Sequence, residues 1–278
     1  MDLYCVMGNP VDHSKSPWIH GRFAELTGQL LQYSKRLVPL DGFASAVSAF
    51  VAEGGRGCNI TVPFKLEAAA LASQVSDRAA LAQASNILSF HNGAILADNT
   101  DGAGLVNDIQ RNAGFDLNGR RLLLLGAGGA GAGVLGPLIL ARPASITLAN
   151  RSLNKATQLV ARHAALALLN NTELMAKDLH RLSASFDVVI NATACSLNGG
   201  GVPVAASTLK PGALAYDLMY GSAAQGFLTW AREHGATSRD GLGMLVEQAA
   251  QAFMIWRGVL PPTQLVLAEL RHVMQARS

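Results

Sequence analysis

Apolar positions in the first hundred residues switch between two periods, one near two and one near 3.6. The runs "LYCVMG", "YSKRLVPL" and "CNITVPFK" predict strands, while "PWIHGRFAELTG", "FASAVSAFVAEG" and "EAAALASQV" predict helices. Strands alternating with helices imply βαβ units and a mixed, mainly parallel sheet. Within "NITVPFK", the period of two sends Ile60, Val62 and Phe64 to one face and Asn59, Thr61 and Lys65 to the other. The first face reads as core, and the second carries an amide, a hydroxyl and an ammonium that a core does not need.

From about residue 104 a second α/β pattern begins, with helix "GLVNDIQRNAG", strand "RRLLLLG", a Gly-rich turn and a helix. Strand "SITLAN", helix "LNKATQLVARHAA" and strands "FDVVINA" and "ALAYDLM" follow, with runs apolar enough to be buried on both faces. The last forty or so residues, from "DGLGMLVEQAAQAFMIWRG" onward, read as mainly helical. Residues 122–141, "LLLLGAGGAGAGVLGPLILA", carry no charge over a membrane-spanning length, but six glycines and a proline make them a buried strand, a turn and a helix start.

Composition sharpens this picture. Of 278 residues, 50% are hydrophobic and only 15% charged, which fits two domains better than one. The net charge of +3 is scattered along the chain, which argues against a nucleic-acid partner and is compatible with an anionic small molecule. Cys5, Cys58 and Cys195 show no metal or disulfide spacing, and the N-terminus has no basic and apolar leader pattern. The expectation is a cytoplasmic protein with no metal and no membrane partner.

"LLLLGAGGAGAG" satisfies G-x-G-x-x-G with Gly126, Gly128 and Gly131, after a predicted strand and at the opening of a predicted helix. In that context glycines permit a tight turn and a close approach to a pyrophosphate seated on the helix N-terminus. The next strand ends in "LANRS", where a domain for NAD would carry a carboxylate for the ribose hydroxyls. Here Asn150 is followed by Arg151, with Lys155 a helical turn beyond Ser152, and these groups accept a 2′-phosphate that a carboxylate would repel. NADP is therefore predicted over NAD.

A nicotinamide in the second domain requires a substrate and a proton donor in the first. In "HSKSP", Ser14 and Ser16 offer two hydroxyls suited to a carboxylate, although Ser16 before Pro17 is also an ordinary helix-capping pair. Asn86, Asn99, Asp101 and Gly102, taken singly, are better explained by turn chemistry. A ketone reductase needs an acid at the oxygen, and Lys65 held by Asp101 would supply one. Sequence spacing leaves open whether those two residues meet.

At this point the chain resembles the shikimate dehydrogenase family, from "GNPVDHSKSPWIH" through "NITVPFK", "DNTDG", "GAGGA" and "NRS" to "DGLGMLVEQAA". The resemblance implies NADPH-dependent, reversible reduction of 3-dehydroshikimate to shikimate, in aromatic amino-acid biosynthesis. It implies two α/β domains around a cleft: a substrate-binding and catalytic domain at 1–103, completed by helices at 240–278, and a Rossmann-type NADP-binding domain at 104–239. Ser14 and Ser16 would bind the substrate carboxylate, with Tyr220 near the same end. Thr61, Asn86, Asp101 and Gln248 would bind ring hydroxyls, with Asn59 close by, and Lys65 and Asp101 would form the catalytic pair.

On the cofactor side, the resemblance places Gly126, Ala127, Gly128, Gly129 and Ala130 on the pyrophosphate. Asn150, Arg151, Ser152 and Lys155 would surround the adenosine phosphate, Leu218 and Gly241 would lie near the nicotinamide, and Asp77 matches a further cofactor position. A monomer or homodimer is expected. A quinate/shikimate dehydrogenase using NAD, or an NADPH-binding homologue without turnover, are the alternative readings. The chain departs from the family's usual text at Ser85 and Ile87 on either side of Asn86, at Ala132, and in "NATACSLNGGGVP".

Overall fold

The computed structural model describes residues 1–193 and 204–276. Cys195 and most of "NATACSLNGGGVP" lie outside the described residues. The chain divides into two compact units, one of Met1–Gly104 with Val246–Ser278 and one of Leu105–Leu245.

The first unit contains β1 (Asp2–Gly8), α1 (Ser16–Thr27), β2 (Leu31–Leu37), α2 (Phe43–Ala52), β3 (Gly55–Ile60), α3 (Lys65–Leu71) and β4 (Gln74–Val75). Then follow α4 (Asp77–Ala82), β5 (Ile87–His91), β6 (Ala94–Asp98) and the start of α5 (Asp101–Asn107). Its sheet runs β2-β1-β3-β5-β6-β4. The β1 pairs and β4–β6 are parallel, whereas β3–β5 and β5–β6 are antiparallel. Met7, Cys5, Cys58, Ile60, Phe43, Phe50 and Phe64 form a core under this sheet.

The predicted strand through "CNITVPFK" is shorter than its alternation implies. β3 ends at Ile60, Val62 is exposed, Phe64 is fully buried, and Lys65 already opens α3. Pro63 has no N–H to extend a ladder, so the chain turns there and the apolar side chains part company. The antiparallel hairpin β5–β6 was not among the predicted strands. Its turn is Asn92–Gly93, both with positive φ, which is the type of pair that joins strands with the right twist.

The second unit contains the end of α5, which widens into one π-type turn at Asp108–Asn112. It continues with β7 (Arg121–Leu125), α6 (Gly129–Leu140), β8 (Ser145–Asn150), α7 (Leu153–Leu169), β9 (Glu173–Asp178) and β10 (Phe186–Asn191). β11 (Leu209–Asp217), α8 (Gln225–Glu233) and β12 (Thr237–Arg239) follow before α9 (Leu242–Arg257) and α10 (Thr263–Gln275). Both α5 and α9 carry the chain from one unit to the other.

Its sheet order, β12-β11-β10-β7-β8-β9, is parallel throughout and reverses direction at β7 and β10, the doubly wound Rossmann pattern. The uncharged run at 122–141 accordingly resolves into β7, a turn and α6. Among the described residues, no helix is long and apolar enough to cross a membrane.

Candidate active site

In the first unit a buried polar cluster gathers around Asn86, which precedes β5. The two N–H groups of its Nδ2 are shared among Asp101 Oδ1 at 2.9 Å, Gln248 Oε1 at 3.0 Å and Thr100 Oγ1 at 3.0 Å. Its Oδ1 accepts from the Thr100 N–H at 2.8 Å. Gln248 comes from α9, so the C-terminal helices bring it 162 positions along the chain to Asn86. Lys65 Nζ donates to Asp101 Oδ2 at 2.5 Å. The two residues that sequence spacing left apart are the first residues of α3 and α5, and they form an ion pair with only 19% and 8% of their side chains exposed.

The serines meet as well. Ser14 Oγ donates to Ser16 Oγ at 3.2 Å and accepts the Ser16 N–H at 3.3 Å. The capping reading is corrected: Lys15 occupies the cap position with no side-chain cap bond, Ser16 is already the first helical residue, and its N–H goes to Ser14 Oγ. The two hydroxyls face each other through a turn at Lys15, not through an extended loop. Asn59 accepts the Tyr33 hydroxyl at 2.6 Å and donates to the Asn86 carbonyl at 3.4 Å. Thr61 packs its methyl group over Gly8, where a Cβ would collide with it, and its N–H continues to the Met7 carbonyl at 3.0 Å.

In the second unit the glycine turn has the features that a pyrophosphate requires. Gly126 has φ +105°, and a Cβ there would come within 2.9 Å of the Ala192 carbonyl oxygen. A Cβ on Gly131 would collide with the Gly126 carbonyl, whereas Gly128 and Gly129 face open space. The N–H groups opening α6, which begins beside Ala130, therefore remain accessible to an anion, and the turn fits a dinucleotide. Asn150 Oδ1 accepts the Ala127 N–H at 3.2 Å and its Nδ2 donates to the Ser152 carbonyl at 2.9 Å, which ties the end of β8 to the turn. Arg151 and Lys155 are exposed beside it.

Leu218 and Gly241 are neighbours: a Cβ on Gly241 would strike the Leu218 carbonyl, and the Gly241 N–H donates to the Met219 carbonyl at 2.8 Å. Tyr220 follows β11 in this unit, and burial pushes its phenol above the ordinary range. Asp77 is an exposed first-turn residue of α4, in the first unit.

Comparison with known proteins gives this geometry a family. Models for the shikimate dehydrogenase substrate binding domain, shikimate / quinate 5-dehydrogenase and the shikimate 5′-dehydrogenase C-terminal domain match residues 6–88, 108–198 and 241–271. The "Shikimate dehydrogenase (NADP(+))" of Acidovorax sp. (strain JS42) is 65% identical over 99% of this chain and 98% of its own length. The chain belongs to the shikimate dehydrogenase family.

Among solved structures, an Ael1 enzyme from Pseudomonas putida matches with a TM-score of 0.90 and 47% identity, over 97% of this chain and 98% of its own. The Thermus thermophilus shikimate 5-dehydrogenase in complex with NADP(H) and shikimate matches with a TM-score of 0.84 and 28% identity, over 98% and 99%.

The departures from the usual shikimate dehydrogenase text leave the Asn86 network whole. Ser85 is buried, and its hydroxyl meets the carbonyls of Ile87 at 2.7 Å and Asp98 at 2.8 Å, while Ile87 packs fully inside. Ala132 is buried within α6. Thr100, Tyr33 and His20 join these clusters without having been singled out from the sequence. One signal was available: His20 lies four residues after Ser16, on the same face of α1.

Proposed function

We propose that the chain catalyses the NADPH-dependent, reversible reduction of 3-dehydroshikimate to shikimate, a step of the shikimate pathway to aromatic amino acids, in the cytoplasm. The observation that carries this reading is the part-buried Lys65–Asp101 pair, joined through Asn86 to Gln248, in a member of this family.

The second unit would hold the cofactor, with Gly126 to Ala130 at the pyrophosphate and Leu218 and Gly241 at the nicotinamide end. Asn150 is a neutral amide already tied to the turn, so a 2′-phosphate meets the Arg151 fork and the Lys155 ammonium and no carboxylate. The first unit would hold the substrate: Ser14 and Ser16 its carboxylate, and Asn59, Thr61, Asn86, Asp101 and Gln248 its hydroxyls. Tyr220 and Asp77 are assigned to substrate and cofactor on the family pattern alone.

When bound, the nicotinamide supplies a hydride to the C3 carbonyl carbon. What the chain supplies is the proton. Lys65 uses one N–H on Asp101 Oδ2 and has two more, one of which is given to the carbonyl oxygen as negative charge develops there. Asp101 remains a carboxylate, held by Asn86, and keeps the ammonium aimed. Because the charge on oxygen exists only as the hydride arrives, the ammonium favours the transition state over the bound ketone.

The test is initial rates at 340 nm with purified protein, oxidising shikimate or quinate with NADP or NAD. Fast turnover of shikimate with NADP supports the proposal. Faster NAD-linked quinate oxidation, or no turnover in a folded protein that binds NADPH, overturns it.

A further inference from the structure

Beside the proposed substrate residues lies a pair that no catalytic role explains. His20 is 1% exposed, and among the described residues neither ring nitrogen has a partner at full hydrogen-bond geometry, although the Asn59 side chain lies close enough to act on the ring. Burial holds its imidazole down to about 3, so the ring is neutral, and a weaker hydrogen-bonding influence of the Asn59 side chain acts in the opposite direction. A neutral imidazole always carries one donor and one acceptor, and leaving both unmet in a core is costly. An apolar residue would avoid that cost.

What His20 does provide is a flat surface. Its ring stacks on Tyr33 with centroids 4.3 Å apart and planes 6° from parallel. Phe23, Phe253 and Trp256 enclose it from other sides. Tyr33 is thereby held with its hydroxyl on Asn59 Oδ1 at 2.6 Å, and the Ser16 hydroxyl faces the same phenol oxygen.

The hydrogen-bond inventory of Asn59 gives this arrangement a consequence. An amide has one acceptor end and one donor end, and nothing in its own shape decides which end faces a ligand. Tyr33 has a single O–H, and it occupies the acceptor end. The donor end makes one long bond, 3.4 Å, to the Asn86 carbonyl and keeps a second N–H. Asn59 Oδ1 is therefore held toward Tyr33, and the spare donor capacity of the amide lies at the opposite end.

We propose that Tyr33, set in place by His20, is a positioning residue that fixes the Asn59 amide as a donor and so helps select a substrate oxygen that accepts there. This rests on the reading of the first unit as the shikimate site.

The experiment compares the intact protein with Tyr33→Phe, which keeps the ring on His20 and removes only the hydroxyl. KM for shikimate should rise about tenfold, the scale of one buried hydrogen bond, with kcat and KM for NADP little changed. In an Asn59→Ala background the same substitution should have almost no further effect. His20→Leu, which removes the stacking surface, should raise KM for shikimate in the same Asn59-dependent way, and provides the test if Tyr33→Phe does not fold. An unchanged shikimate KM, or a rise that persists undiminished without Asn59, overturns the inference. If the unmodified protein does not oxidise shikimate at all, the functional reading fails instead.

Discussion

Lys65 Nζ stands 2.5 Å from Asp101 Oδ2, and each residue opens a helix. A carboxylate suits that position, but an ammonium meets the positive end of the helix dipole there. Lys65 breaks a local rule, and its partner offsets the break, as the proposed catalytic role would require. Lys65→Ala should lower kcat for shikimate oxidation by about two orders of magnitude or more, with a much smaller change in substrate binding. Steady-state kinetics check this, and an unchanged kcat would remove Lys65 from the reaction.

Arg151 is exposed beside the Asn150 amide that braces the glycine turn. Replacing it with alanine should weaken NADPH by about tenfold or more and leave NADH nearly unaffected, because only the former has a 2′-phosphate. Fluorescence titration of both nucleotides measures the ratio. Equal losses would show that Arg151 does not read the phosphate.

The His20 imidazole titrates near 6.5 in an unfolded chain and near 3 when buried. Between those values the unfolded chain binds a proton that the folded one refuses, so stability is full above the upper value and falls as pH drops toward the lower. One such group contributes a slope of up to about 1.4 kcal/mol per pH unit. His163, also held down by burial, acts in the same direction. Urea melts from about pH 7 to about pH 5 should show declining stability, and His20→Phe should flatten the decline by one proton. An identical slope in the variant would show that His20 is not the group responsible.

Asp108 has no exposed side-chain surface and accepts from Tyr216 Oη at 2.7 Å, Arg239 Nε at 2.7 Å and Arg239 Nη2 at 2.6 Å. Gly243 leaves it room, since a Cβ there would overlap the carboxylate. Arg239→Leu strands a buried charge and should cost about 3–5 kcal/mol. Tyr216→Phe leaves the guanidinium fork intact and should cost about 2 kcal/mol. Equilibrium denaturation orders the two, and a larger loss for the tyrosine variant would contradict this account.

The parallel sheet of the second unit was legible because its strands are continuous aliphatic runs and its turn is marked by glycines. The first unit was less so. Alternation carried the reading of "NITVPFK" past the true end of β3, although Pro63 marks the stop, and "HNG" signalled a hairpin that aliphatic runs alone obscured. At the site, residue types suggested a chemistry, but contacts did not follow from spacing. Tyr33 reaches Asn59 only because β1 lies between β2 and β3 in the sheet. Asn86 meets Gln248 only because the chain returns.

That return also bears on how the molecule is made. A ribosome releases Leu105–Leu245 as one uninterrupted stretch, with every contact inside that unit available before Val246 emerges. The earlier-born unit must wait, holding Asn86 without Gln248 until α9 follows it out. The chain can thus complete its middle unit before its first, and Gln248 is the last of the groups assigned to substrate to arrive.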